Sequence, residues 1–219
     1  FFRKPAQTAP SPAKTTEVTP PAIGGLTIKQ AFRTKQLWLL LLIFFASGYF
    51  TFSLMVHLVP YAENMGVSAM NASTLLAIMN GVSLAGILAL AGAFGDRLGS
   101  QNVFKICFGL VVIGMAVLLT AGELRVLYLA VIPFGIAIGG LGASESPLVA
   151  RMFGVASHGV IFGIAGLGFT SGTAIGPFVT GYLFDITGSY LISFIICAVV
   201  AVLGLFLLTL LRPVEKQPG

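Results

Sequence analysis

The chain has 219 residues, of which 57% are hydrophobic and 9% charged, with a formal net charge of +5 and a mean hydropathy of +0.99. Soluble domains carry roughly 25% charged residues, so this composition excludes an ordinary water-soluble enzyme or nucleic-acid-binding module and points to a protein solvated by lipid. Its two cysteines, Cys107 and Cys197, fall in apolar stretches, where a thiol behaves as a small hydrophobe, and they suggest neither a disulfide framework nor a metal site.

At the start, Phe1 and Phe2 before Arg3 and Lys4 read as the end of a preceding helix, not as a secretory signal. Residues 3–25 hold Pro5, Pro10, Pro12, Pro20 and Pro21 among Thr, Ala and Lys. That composition buries too little apolar surface to order itself, and the segment is read as a flexible linker. From Leu26 to Gln36, Leu26, Ile28, Ala31 and Phe32 stand beside Lys29, Arg33 and Lys35, the pattern of a short amphipathic helix on a membrane surface. Trp38 marks the interface.

A helix needs about 20 residues to cross a hydrocarbon core of about 30 Å. Six apolar stretches reach that length, at Leu37 to Tyr61, Asn71 to Phe94, Val103 to Ala121, Leu124 to Ser144, Ser157 to Phe184 and Ser189 to Leu211. Membrane strands are about half as long and alternate polar with apolar residues, which none of these does. The expected fold is all-α, a polytopic membrane protein with six transmembrane helices over residues 37–211, a surface segment over 1–36 and a tail over 212–219. Short loops make sequence neighbours antiparallel neighbours in space. The longest internal connection is expected around Pro147 to Ala156.

Six spans put both chain ends on one side. That side collects Arg3, Lys4, Lys14, Lys29, Arg33, Lys35, Arg97, Lys105, Arg151, Arg212 and Lys216, and the other only Arg125. The positive-inside rule makes the basic side cytoplasmic, so the net charge is a matter of topology and implies no nucleic acid.

Polar residues inside the spans are the functional candidates. In the first span Tyr49, Ser53, His57 and Tyr61 recur every four residues as one stripe. His57 suits proton exchange, or alternatively a neutral hydrogen bond to a neighbouring helix. In the second span Asn80 and Ser83 continue a face begun by Ser73, able to hydrogen-bond a substrate but not to neutralise it. Glu145, between Ser144 and Ser146, is either a buried proton carrier or a solvated carboxylate paired with Arg151. In the fifth span Thr170, Ser171 and Thr173 precede Pro177, whose missing donor is expected to kink or loosen the helix. Gly135 and Gly139 in the fourth span, and Gly168, Gly172 and Gly176 in the fifth, each stack on one face and let backbones approach closely.

Gly92, three residues, then Asp96, Arg97, Leu98 and Gly99 resembles the signature loop of the major facilitator superfamily, here continued by Ser100 and Gln101. The runs VHLVPYAENMGVS from Val56, ARMFG from Ala150 and GPFVTGYLFDITGSY from Gly176 resemble its monocarboxylate and oxalate/formate antiporter branch. The resemblance covers Leu26 to Pro213. It implies an alternating-access carrier of two six-helix bundles, with this chain supplying the C-terminal bundle and residues 1–36 the linker between halves.

It further implies that Gly92, Asp96, Arg97 and Gly99 form a conformational latch, with Asp96 near the positive end of the fifth helix and Arg97 pairing across the cytoplasmic face. Branch carriers place an Arg where this chain has Gly86, Ile87 and Leu88. A carboxylate would then meet hydroxyls, amides, His57, a helix N-terminus or the other half.

The expectation is secondary active transport of a small solute such as a monocarboxylate. Substrate contacts are expected from Tyr49, Ser53, His57, Asn80, Ser83, Thr170 and Thr173, and proton coupling from His57 or Glu145. No cofactor, metal or catalytic set is expected. The partners are the N-terminal half, membrane lipids and the solute, in a bacterial inner membrane. A carrier of neutral or zwitterionic solutes, or a non-transporting six-helix subunit, are the alternative readings.

Overall fold

The computed structural model describes residues 25–214 apart from Phe94, and omits the side chains of residues 91–96. Most of the Pro-rich segment and the tail from Glu215, with Arg3, Lys4, Lys14 and Lys216, lie outside the described residues. The elements are α1 (Ile28–Phe32), α2 (Lys35–Asn64), α3 (Ala69–Gly86), a π-helical stretch (Ile87–Ala93), α4 (Gly95–Leu98), α5 (Ser100–Leu119), α6 (Leu124–Phe153), α7 (His158–Thr187) and α8 (Leu191–Leu210). Among the described residues six helices are long and apolar enough to cross a membrane: α2, α3 with the start of the π stretch, and α5 to α8. No strand occurs among them. In hydrocarbon only a helix satisfies every backbone donor and acceptor within its own segment, so apolar runs of this length become helices.

Local signals set the ends. The Thr34 hydroxyl accepts a hydrogen bond from the Leu37 amide, 3.4 Å, at the start of α2, and the Ser68 hydroxyl one from the Asn71 amide, 3.5 Å, at the start of α3. Gly188 ends α7 in the left-handed conformation. Helix α6 departs from expectation. It runs on through Pro147 to Phe153, and the connection is only residues 154–157. The polar trio Ser144 to Ser146 resembles a span end, but Leu148, Val149, Met152 and Phe153 beyond it are buried, and that packing keeps the extra turns helical. Pro177 likewise lies within one continuous α7, and Pro60 within α2.

The bundle packs α2 against α7 and α6 against both α5 and α3, with α8 bridging α2 and α5, and backbones come closest in two pairs, α2 with α7 and α3 with α6. Glycine makes both pairs. A methyl group on Gly168, Gly172 or Gly176 of α7 would overlap the backbone carbonyl of Leu41, Phe45 or Tyr49 on α2, and one on Gly48 that of Phe169. On the other pair, Gly139 meets the Ser83 carbonyl and Gly86 that of Ile136. Where lipid removes the hydrophobic drive for helices to associate, such backbone contact supplies dispersion that larger residues would forbid. Behind these seams, aromatic rings fill the space between α2 and α5. Phe50 meets Phe108 edge to face at 5.2 Å, and Phe44 stacks on Phe104 at 6.0 Å.

Gly172→Val should therefore destabilise the bundle by about 1–3 kcal/mol or more, the usual effect of overpacking. Gly163→Ala, where nothing lies within 4 Å, should be neutral. Thermal melting of the two purified variants against the parent checks this, with a lowered midpoint expected for Gly172→Val alone.

Candidate functional site

The bundle exposes helix faces of two chemically different kinds. On α8 the exposed residues include Ile192, Ile195, Val199, Leu203 and Phe206, an all-apolar face. On α3 they include Ser73, Ala77, Asn80, Gly81 and Leu84, and on α7 Gly163, Leu167, Thr170, Ser171, Ala174 and Phe178. Each set recurs at three- and four-residue steps and so forms one stripe. The first suits acyl chains. The second mixes small, hydroxyl and amide groups at membrane depth, where a polar group needs protein or water beside it.

The polar groups of this second face rest on their own helices. Asn80 Nδ2 donates to the Leu76 carbonyl at 2.9 Å, and Ser83 Oγ to that of Asn80 at 2.6 Å. On α7, Ser171 Oγ donates to Leu167 at 2.7 Å and Thr173 Oγ1 to Thr170 at 2.8 Å. A rotation exchanges such a bond for one to a ligand, so recognition leaves few donors unpaired. Asn80 also keeps an amide oxygen and a second amide proton for a ligand.

The α2 stripe is placed differently. Tyr49 and Ser53 are buried against α7, beside Gly172 and Gly176. Ser53 Oγ and Thr180 Oγ1 have no hydrogen-bond partner, and both lie beside the Cys197 thiol. His57 Nε2 donates to the Pro177 carbonyl at 3.0 Å, which requires a proton on that nitrogen. Tyr61 Oη donates to the Leu118 carbonyl at 3.4 Å. His57 and Tyr61 share an aromatic group with Tyr190, at ring distances of 5.6 and 5.7 Å. No hydrogen bond among the described residues joins the α2 stripe to Asn80, Ser83 or Thr170.

Basic residues gather at one end of the bundle, with Lys29, Arg33, Lys35, Arg97, Arg151 and Arg212 there and Arg125 at the other. Glu145 is half-buried at that basic end and has no ion-pair partner among the described residues. Arg151 does not pair with it. Its guanidinium lies against Gly99 in the α4–α5 turn, a contact open to it because α6 carries Arg151 past Pro147. Gly99 has φ of +75°. Arg97 is exposed, while the side chain of Asp96 lies outside the described ones.

Several features here are missed by sequence reasoning. Ser146 Oγ is 3.0 Å from His158 Nε2, whose ring stacks on Phe162, while His158 Nδ1 is buried without a partner. The π-helical stretch at Ile87–Ala93 directly precedes the turn. The last carbonyls of α6 are taken by the flanking chain: Leu26 N donates to Phe153 O at 3.0 Å and Val214 N to Met152 O at 3.1 Å. The serine before a proline and the glycines around residue 90 are the only sequence signals for these. Among the described residues no His, Cys, Asp and Glu group is arranged to hold a metal ion.

The sequence profile of the Major Facilitator Superfamily matches residues 85–219. An uncharacterized transporter of Bacillus subtilis, YybO, is 27% identical over 205 residues, 88% of this chain and 46% of that protein. Monocarboxylate transporter 12 of mouse is 26% identical over 168 residues, 75% of this chain and 34% of that protein. The chain thus spans about a third to half the length of the curated relatives it matches. A crystal structure of a POT family transporter, in complex with a thioalcohol-conjugated peptide, shares the fold with a TM-score of 0.70 and 18% identity over 80% of this chain and 37% of that one.

The Gly99 contact makes a testable difference between two glycines of similar backbone. Alanine at either Gly99 or Gly188 meets the positive-φ penalty of about 1 kcal/mol. Only at Gly99 would it also displace a side chain, that of Arg151. Thermal melting should therefore show Gly99→Ala lower than Gly188→Ala, and Arg151→Ala should remove the difference.

Proposed function

The chain belongs to the Major Facilitator Superfamily, and on that premise we propose that it is the second six-helix bundle of a secondary carrier that moves a small organic anion, such as a monocarboxylate, by alternating access. The observation that carries this reading is the polar and small-residue stripes exposed on α3 and on α7, in contrast to the apolar face exposed on α8. A free-standing bundle in lipid has no use for the stripes, whereas a bundle that closes against a second half encloses them as a path. The name of the mouse relative, monocarboxylate transporter 12, supports the substrate class.

In this reading Asn80, Ser83, Thr170 and Thr173 offer hydrogen bonds to the solute, and Tyr49, Ser53 and His57 hold the α2–α7 seam that carries the α7 face. The glycine seams keep each helix pair rigid while the two bundles rock against each other. The π-helical stretch and the turn from Asp96 to Gly99 form the latch at the basic end, with Arg151 bracing Gly99. Opening towards the cytosol releases it. Glu145 is half-buried at the basic end, so protonation removes a half-buried charge and couples proton movement to the rocking. His57 is the other coupling candidate.

A neutral or zwitterionic solute is the second reading. It is favoured by one observation: α3 and α7 contain no Lys or Arg.

Uptake of radiolabelled oxalate, formate, lactate, pyruvate, neutral amino acids and sugars into proteoliposomes of the full-length protein tests both. Accumulation of a monocarboxylate, stimulated by an inward proton gradient, is the expected result; uptake of neutral solutes alone would select the second reading. Asn80→Ala and Thr170→Ala should each lower uptake efficiency about fivefold, the equivalent of about 1 kcal/mol for one hydrogen bond. Glu145→Gln should abolish the response to the gradient and leave solute exchange intact, and Asp96→Asn should slow transport without lowering expression.

A further inference from the structure

At the basic end a groove of about 470 Å³ opens between the start of α2 and the end of α8, lined by Lys35, Gln36, Trp38, Leu39, Leu42 and Leu210. Its chemistry is graded along the helix axis. At the mouth stand Lys35, exposed, and Gln36, whose Oε1 accepts the Arg212 backbone amide at 3.2 Å and so brings Arg212 alongside. Trp38, 56% exposed, follows at the depth where indole rings sit in a bilayer. Leu42, about half exposed, forms the deep end one turn beyond Trp38, and Leu210, also about half exposed and two residues before Arg212, closes the α8 side near the mouth. No carboxylate lines it.

A cationic rim, an indole and an apolar floor in that order match one occupant, and we propose that the groove is a binding site for an anionic phospholipid. The phosphodiester headgroup meets Lys35 and the Arg212 side, and one acyl chain descends over Trp38 and Leu39 towards Leu42, with Leu210 flanking it near the mouth. The site lies where α2 meets α8, the helix that carries the all-apolar exposed face. Its neighbours on the chain, Lys29 and Arg33 of the α1 segment, add to the attraction for a negative headgroup. Lipid bound here bridges α2 and α8, whose ends are otherwise joined at this point by the Gln36 to Arg212 hydrogen bond.

Trp38 is the sole tryptophan of the chain and reports on the groove directly. Full-length protein with Trp38 as its only tryptophan is reconstituted into vesicles of unlabelled phosphatidylcholine. Increasing fractions of phosphatidylglycerol or phosphatidylcholine brominated on the acyl chains are then added, bromine quenching indole fluorescence on contact. Brominated phosphatidylglycerol is expected to quench several-fold more strongly at equal mole fraction. Lys35→Gln should reduce that preference about fivefold, the effect of one basic residue near an anionic lipid, and Lys35→Arg should retain it.

Equal quenching by the two lipids would overturn the proposal. So would a preference untouched by Lys35→Gln and Arg212→Gln, which would assign it to the general positive charge of this end. Trp38 unquenched by either lipid would place protein in the groove, and this too contradicts the site.

Discussion

Glycine at two helix crossings is the constraint on which the rest of the bundle depends. On α7, Gly168, Gly172 and Gly176 sit against carbonyls on successive turns of α2, and Gly139 and Gly86 bring α6 and α3 together in the same way. In water a helix pair can rely on apolar burial, but between lipid and a leucine face there is little to gain, and close backbone approach takes its place. Because these contacts occupy one face of α7 and one of α3, the opposite faces are left outward. Those are the faces that carry Thr170, Ser171, Asn80 and Ser73. The seams thus create the polar surface as much as they hold the fold.

The same geometry separates two roles that residue type alone would merge. Ser53 and Thr170 are both hydroxyl residues in apolar spans, yet one is sealed between helices beside Cys197 and the other lies open on α7. His57 is tied to the Pro177 carbonyl, so its proton on Nε2 is committed to the seam. Glu145 lies at the basic end without a cation partner, where a change of charge would be felt by the helices around it. At that end the last carbonyls of α6 hold Leu26 on one side and Val214 on the other, while Arg151 reaches the α4–α5 turn. The end of α6 therefore ties the flanking segments and the signature turn to one helix.

Much of this was legible in the sequence because membrane solvation imposes length and apolarity on every span. Six stretches near 20 residues, short loops and the Gly-x-x-x-Gly spacing of α7 determine the architecture, and the Asp96 to Gly99 motif its family. The limits are equally physical. The run Ser144 to Ser146 followed by Pro147 has the composition of a helix end, and only the burial of Leu148, Val149, Met152 and Phe153 keeps α6 helical. Spacing showed that Tyr49, Ser53, His57 and Tyr61 share a face, but not that this face meets α7, because the partner of a face is a tertiary fact. The His158 to Ser146 bond and the π-helical stretch rest on contacts between segments, for which a single sequence carries no periodic signal.

The central claim is that α3 and α7 present a water-lined face and α8 a lipid-lined one. It is tested most directly by single-cysteine accessibility in membranes holding the full-length protein. Cys107 and Cys197 are buried, so the chain itself contributes little background. Asn80→Cys and Thr170→Cys should react with a water-soluble methanethiosulfonate reagent and be protected by transported solute, whereas Val199→Cys and Phe206→Cys should remain unmodified. Equal reactivity at all four positions, or reaction only on α8, would contradict the account.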